Sequence, residues 1–166
     1  MNYVLNESGF PLNSYNSKKL KNIIESLPRD TLIQIDEIDL YCMCLHMLSS
    51  MRSKKLKLFI QQDWAGSFIN IIIFMPRNRL TPDVYNTISN YLSQKFDSEI
   101  ITDNITVLAQ DFSHLFATIP VKDKSKLNFD PQELEEDLIK ITTNWSDTLL
   151  EKLYESVIEA TALGTE

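Results

Sequence analysis

The apolar positions of this chain alternate between helical and strand periods, and each change of period marks an element. The stretch from Met1 to Asn16 carries Gly9, Pro11 and several Asn and Ser residues, an irregular lead-in before a short amphipathic helix from Ser17 to about Ser26 that Pro28 ends. From about Asp36 to Met51 the residues Leu40, Cys44, Met47 and Met51 recur at helical spacing, and Asp36 is placed to cap the first turn. After Lys55 the period becomes two. Leu56, Leu58 and Ile60 point one way, Lys57 and Phe59 the other. Asp63, Trp64, Ala65 and Gly66 make a hairpin connection into a second strand, Phe68 to Met75, whose apolar residues fall on both faces.

Thr81 and Pro82 open a helix with a capping hydroxyl and a proline at the first position, where a missing N–H costs nothing; Val84, Ile88, Leu92 and Phe96 then form one stripe. A second hairpin is expected from strands near Glu99 to Ala109 and His114 to Val121, wetter than the first and joined by a polar turn around Asp111 and Ser113. Asp130, Pro131 and Glu133 start a last helix whose stripe runs through Leu134, Leu138, Ile141, Trp145, Leu149, Leu153 and Val157. A helix that long either breaks near Thr143 or reaches beyond its own domain.

The pattern predicts an α+β fold: an antiparallel four-stranded sheet with helices on one face, in ββαββα order, preceded by two helices. Residues 1–35 read as a lead-in with a short helix, and residues 36–162 as the α+β domain with an N-terminal helix and a long C-terminal one. With Leu58, Ile71, Ile73 and Leu115 toward the helices, Phe59, Ile72, Phe74 and Phe116 are left as an apolar face too large to stay wet, hence a candidate interface.

Composition narrows the function. At 166 residues and 43% hydrophobic the chain can bury a core without staples, and 16 Lys and Arg against 23 Asp and Glu, a net charge of −7, argues against general nucleic-acid binding. Cys42 and Cys44 are too few and too close for a disulfide framework, which fits a reducing cytoplasm, and no apolar run approaches a membrane span or a signal peptide.

Catalytic constellations are nearly absent. Gly9, Gly66 and Gly164 are the only glycines and form neither a dinucleotide loop nor a P-loop. On a helix Cys42 and His46 share a face while Cys44 points about 160° away, so a packed helix outweighs a metal site, and no helix N-terminus activates either thiol. Asp111, Ser113 and His114 have the residue types of a hydrolase triad, but a hairpin turn explains their adjacency better. The runs Arg52, Lys54, Lys55, Lys57 and Glu133, Glu135, Glu136, Asp137 read as solvated helix ends. Arg77 and Arg79, in a loop entering the helix at Thr81, suit a ligand carboxylate or, more readily, a domain–domain ion pair.

Several segments together resemble one family. Leu27-Pro28-Arg29-Asp30-Thr31-Leu32-Ile33-Gln34 resembles the LPRDELFQ-like segment of the very large NAD-specific glutamate dehydrogenases of bacteria, ahead of their catalytic region. Lys54 to Phe59 looks like their basic RRVRLF strand, and Asp63 to Phe68 their D-x-x-G-R-F turn with Ser67 for the arginine. Phe74 to Thr81 resembles Y-V-P-R-D-R-Y-T, Asn144 to Leu149 the SWxDxL motif, and Ser8-Gly9-Phe10 the family's lead-in.

The resemblance implies an ACT-like regulatory module of a longer polypeptide that oxidatively deaminates glutamate to 2-oxoglutarate with NAD. It carries over no catalytic, cofactor or metal residue to this chain, and implies other domains of the same polypeptide and a homo-oligomer as partners. Two functions follow. The first is an assembly module. The second is a sensor of a small effector, such as an amino acid, near Arg77, Arg79 and Thr81, with Gly66 the sole glycine suited to line such a site.

Overall fold

The period-two segments pair as the alternation predicts. In the computed structural model, which describes residues 2–11, 13–63, 65–109 and 111–143, β1 (Lys57–Gln62) lies antiparallel to β2 (Phe68–Pro76), with Leu58 opposite Ile73 and Ile60 opposite Ile71. β3 (Thr102–Ala109) and β4 (Phe112–Pro120) form the second hairpin, and β4 pairs with β2, giving the antiparallel order β1-β2-β4-β3. Helix α5 (Pro82–Phe96) joins the hairpins, and α6, described over residues 131–143, follows them. The ββαββα order is the expected one. Trp145, Leu149, Leu153 and Val157, and with them the reach of the last helix, lie outside the described residues.

Helix starts follow local chemistry. The Thr81 hydroxyl accepts from Val84 N at 3.2 Å, and Asp130 Oδ1 accepts from Gln132 N at 2.9 Å, each satisfying an amide that a helix's first turn leaves without a carbonyl. Ahead of the sheet, α2 (Tyr15–Ser26) is capped by Ser14 and α4 (Glu37–Ser53) by Asp36, whose carboxylate accepts from Asp39 N at 2.8 Å. These are the two preceding helices expected from periodicity. Two six-residue helices that the periodicity does not predict accompany them: α1 (Asn2–Glu7), within the stretch expected to be irregular, and α3 (Arg29–Gln34), each too short to show a helical stripe.

The sheet separates two cores. On one face Val84, Ile88, Leu92 and Phe96 of α5, with Leu134 and Leu138 of α6, pack on Ile69, Ile71, Ile73, Met75, Leu115 and Ile119. The stripe predicted for α5 is the stripe it buries. On the other face Ile72, Phe74, Phe112 and Phe116 pack against Val4, Leu20, Ile23, Ile24, Leu40, Met43, Cys44 and Met47.

This second core corrects an expectation. The face of Phe59, Ile72, Phe74 and Phe116 is not free: Ile72, Phe74 and Phe116 are buried and Phe59 is half-buried beneath the preceding helices. The helices of the ββαββα unit do lie on one face. Sequence periodicity shows that the other face is apolar, but the helices that cover it meet it through residues far apart in sequence, such as Leu40 and Phe74, which no local pattern records.

A second correction concerns β4. It is not wetter than the first hairpin: all nine of its positions pair with β2 and seven of them also with β3, and Phe112 to Ala117 are all buried. The strand begins earlier than expected, so that Ser113, read as part of the connecting turn, lies in β4 together with His114.

An edge contact fastens α6 to the sheet. Glu135 accepts from Lys57 Nζ at 2.6 Å through Oε1 and from Leu58 N at 3.0 Å through Oε2. Glu135 is therefore not simply part of a solvated helix start. It satisfies a backbone donor on edge strand β1 while holding a partly exposed cation. Glu135→Ala is expected to cost about 1–2 kcal/mol by chemical denaturation, and Glu135→Gln under half of that, since the amide oxygen still accepts from Leu58 N. Equal losses in the two variants would assign the effect to the ion pair instead.

Candidate functional site

Where β2 ends, four segments of the chain meet around a cleft of about 720 Å³. The start of α2 contributes Tyr15 and Lys19, and the end of α4 contributes Met51 and Lys54. The turn after β2 adds Pro76, Arg77 and Asn78, while Asp111 and Phe112 come from the entry to β4. Three cations thus face one carboxylate.

The backbone positions these groups. Arg77 N donates to the carbonyl of Asp111 at 2.9 Å, joining the two loops at this end of the sheet. Lys54 sits at the C-cap of α4 with φ 54°, a left-handed conformation that ends the helix and turns the chain toward β1. The Ser50 hydroxyl donates to the carbonyl of Lys55 immediately beyond it. Lys19 Nζ lies 4.4 Å from the centroid of the Tyr15 ring, one turn back along α2.

The residues singled out from sequence are only partly brought together. Arg77 lines the cleft; Arg79 follows in the same short 3-10 turn but does not line it. The Thr81 hydroxyl is engaged as the cap of α5. Gly66 lies at the opposite end of β2, roughly 25–30 Å away at about 3.3 Å per residue, so it cannot line a site with Arg77. Its φ of 67° serves the hairpin connection, where Gly66 N donates to the carbonyl of Asp63 at 3.0 Å. Tyr15, Lys19 and Asp111 carry no local signal of a site. Their juxtaposition depends on how α2 packs against the sheet.

The other candidate chemistries resolve as packing. Cys44 lies in the core, where burial pushes its thiol up to about 12, and Cys42 is exposed on the other side of α4. His114 is buried beside Phe74, their ring centroids 5.8 Å apart in an edge contact. Burial holds its imidazole down at about 4, hence neutral, and its Nδ1 has no hydrogen-bond partner among the described residues. Asp137, also assigned to a solvated run, accepts from the Tyr91 hydroxyl at 2.6 Å. That bond is the chief reason its carboxyl titrates below the usual range, while burial, first, and the same bond raise the Tyr91 phenol.

A different surface stands out at the far edge of the sheet. Ile105 and Val107 of β3 lie opposite Leu115 and Ser113, on the face that carries α5 and α6. The described residues of those helices leave this edge partly exposed. Ile105 is 47% exposed and Val107 51%, with Ile101 at 61% just before the strand.

Comparison with known proteins places both halves of the chain. Residues 57–146 match the family described as glutamate dehydrogenase, ACT2 domain, and residues 1–51 match glutamate dehydrogenase, helical motif 1. A protein of Halomonas elongata named NAD-specific glutamate dehydrogenase is 28% identical over 159 residues, 96% of this chain and 10% of that protein. One of the same name from Pseudomonas aeruginosa is 26% identical over 166 residues, covering 95% of this chain and 10% of its own length. The chain therefore spans about a tenth of the curated relatives it matches.

Proposed function

The chain belongs to the glutamate dehydrogenase ACT2-domain family, and from that premise we propose that it is a non-catalytic regulatory and assembly module of a longer NAD-specific glutamate dehydrogenase. The longer polypeptide would convert glutamate to 2-oxoglutarate in the cytoplasm, with NAD held by its other parts. The glycine spacing gives no GxGxxG or P-loop motif, and the described positive-φ glycines, Gly9 and Gly66, lie in separate loops. No helix among the described residues is long and apolar enough to cross a membrane.

The observation that carries the assembly reading is the outer edge of β3. An edge strand presents unpaired N–H and C=O groups, and here Ile105 and Val107 add a half-exposed apolar strip beside them. A neighbouring domain of the same polypeptide, or a second copy, would cover it by strand pairing and apolar contact. The apolar face first suspected is closed by the chain's own helices, so this edge takes its place.

Two lysines test the reading. In the full-length enzyme, Ile105→Lys with Val107→Lys is expected to weaken subunit or domain assembly, read by sedimentation and by loss of cooperative thermal unfolding, while NAD binding survives. The 166-residue chain should form no NADH from glutamate. Unchanged assembly in the double variant would remove the edge from the argument, and NADH production by the chain alone would overturn the non-catalytic assignment.

A further inference from the structure

Most of the described lysines near a carboxylate are already answered. Lys57 pairs with Glu135, Lys140 with Asp137, and Lys21 with Glu25. The cleft at the end of β2 is different, because none of Lys19, Lys54 and Arg77 makes an ion pair among the described residues. In a chain of net charge −7, three cations on one concave surface with one carboxylate, Asp111, and no ion pair among the described residues are a local concentration of positive charge. We propose that this cleft binds a small anionic ligand carrying at least two negative charges, held by Lys19, Lys54 and Arg77.

Size and construction agree with that chemistry. A volume of about 720 Å³ lies within the range of small-molecule sites, roughly 300–1,000 Å³. Arg77 offers a planar fork for two oxygens of one phosphate or carboxylate, and the two lysines that line the same cleft supply point charges. The wall positions are set before any ligand arrives, by the Arg77–Asp111 backbone bond, the left-handed turn at Lys54 and the Tyr15 contact of Lys19. Apolar Met51 and Phe112 beside them give a carbon skeleton something to rest on.

The place of the cleft gives binding a consequence. Lys19 and the end of α4 belong to the preceding helices, whereas Arg77 belongs to the sheet unit. A dianion bridging them would tie the two together and stabilise the helices on the sheet. The inference goes beyond the assembly reading and uses no β3 residue, so each can fail without the other.

Calorimetric titration of the 166-residue chain at low salt tests it, with inorganic pyrophosphate in one arm and succinate in the other. Submillimolar binding is expected in at least one arm, weakening by about tenfold in each of Lys19→Gln, Lys54→Gln and Arg77→Gln. Lys21→Gln, outside the cleft, should bind as the parent does, and the unliganded variants should melt at the parental temperature. A response to pyrophosphate alone assigns a phosphate ligand, and a response to succinate a polycarboxylate. Absence of binding in both arms at about 10 mM, or binding that survives all three substitutions, overturns the proposal.

Discussion

Phe74→Ala is expected to lower the unfolding free energy by about 3–5 kcal/mol, the largest loss from any single truncation on the sheet face beneath the preceding helices. Phe74 is 1% exposed, sits on central strand β2, and packs with Leu40, Met43 and Met47 of α4 in the core that joins those helices to the sheet. Its removal takes away the ring's apolar burial and leaves a cavity between layers that cannot close without moving a helix. It also strips His114 of its edge contact. Against a total of about 5–15 kcal/mol for a domain, that leaves a barely folded protein. Phe59→Ala, on the same face but on edge strand β1 and only half-buried, should cost less than half as much. Denaturant midpoints at constant slope decide the matter: an unchanged midpoint for Phe74→Ala would mean that the preceding helices do not hold this face.

Acid should weaken the chain through His114 before most carboxylates titrate. Burial lowers its pKa from 6.5 to about 4, so the folded state keeps the imidazole neutral where the unfolded chain binds a proton. The contribution is complete above pH 6.5 and is lost as pH falls from there to about 4, where the folded protein also protonates. At 1.36 kcal/mol per unit the full loss is about 3 kcal/mol. His114→Phe should flatten this part of the profile, and the difference between the two proteins isolates the imidazole from the acidic groups. A ring titration followed by NMR with a midpoint near 6.5 instead of near 4 would sink the assignment.

What could be read in the sequence was what local physics dictates. The caps at Asp36 and Thr81, the stripe from Val84 to Phe96 and the opposed faces of β2 each depend on residues within a few positions of one another. Hydrophobic period and capping chemistry therefore determined the strands and the longer helices, their order and the α+β class, but not the short helices α1 and α3. The segments that resemble glutamate dehydrogenases led to the family that the matches at residues 57–146 and 1–51 show.

The tertiary structure decided what each face meets. That Ile72, Phe74 and Phe116 are apolar follows from composition, but that α2 and α4 cover them depends on chain paths through contacts far apart in sequence. Ser113 reads as a turn residue by its polarity, because nothing local reveals that β4 pairs on both sides and lies central in the sheet. The cleft is the clearest case. Lys19, Lys54 and Arg77 come from three elements with unrelated local patterns, while Gly66, grouped with Arg77 by chemistry, ends up a full strand length away. Periodicity reports whether a residue faces a core or water; only packing of the layers fixes which distant charges share a surface, because that proximity is set by the summed geometry of strands, loops and helices between them.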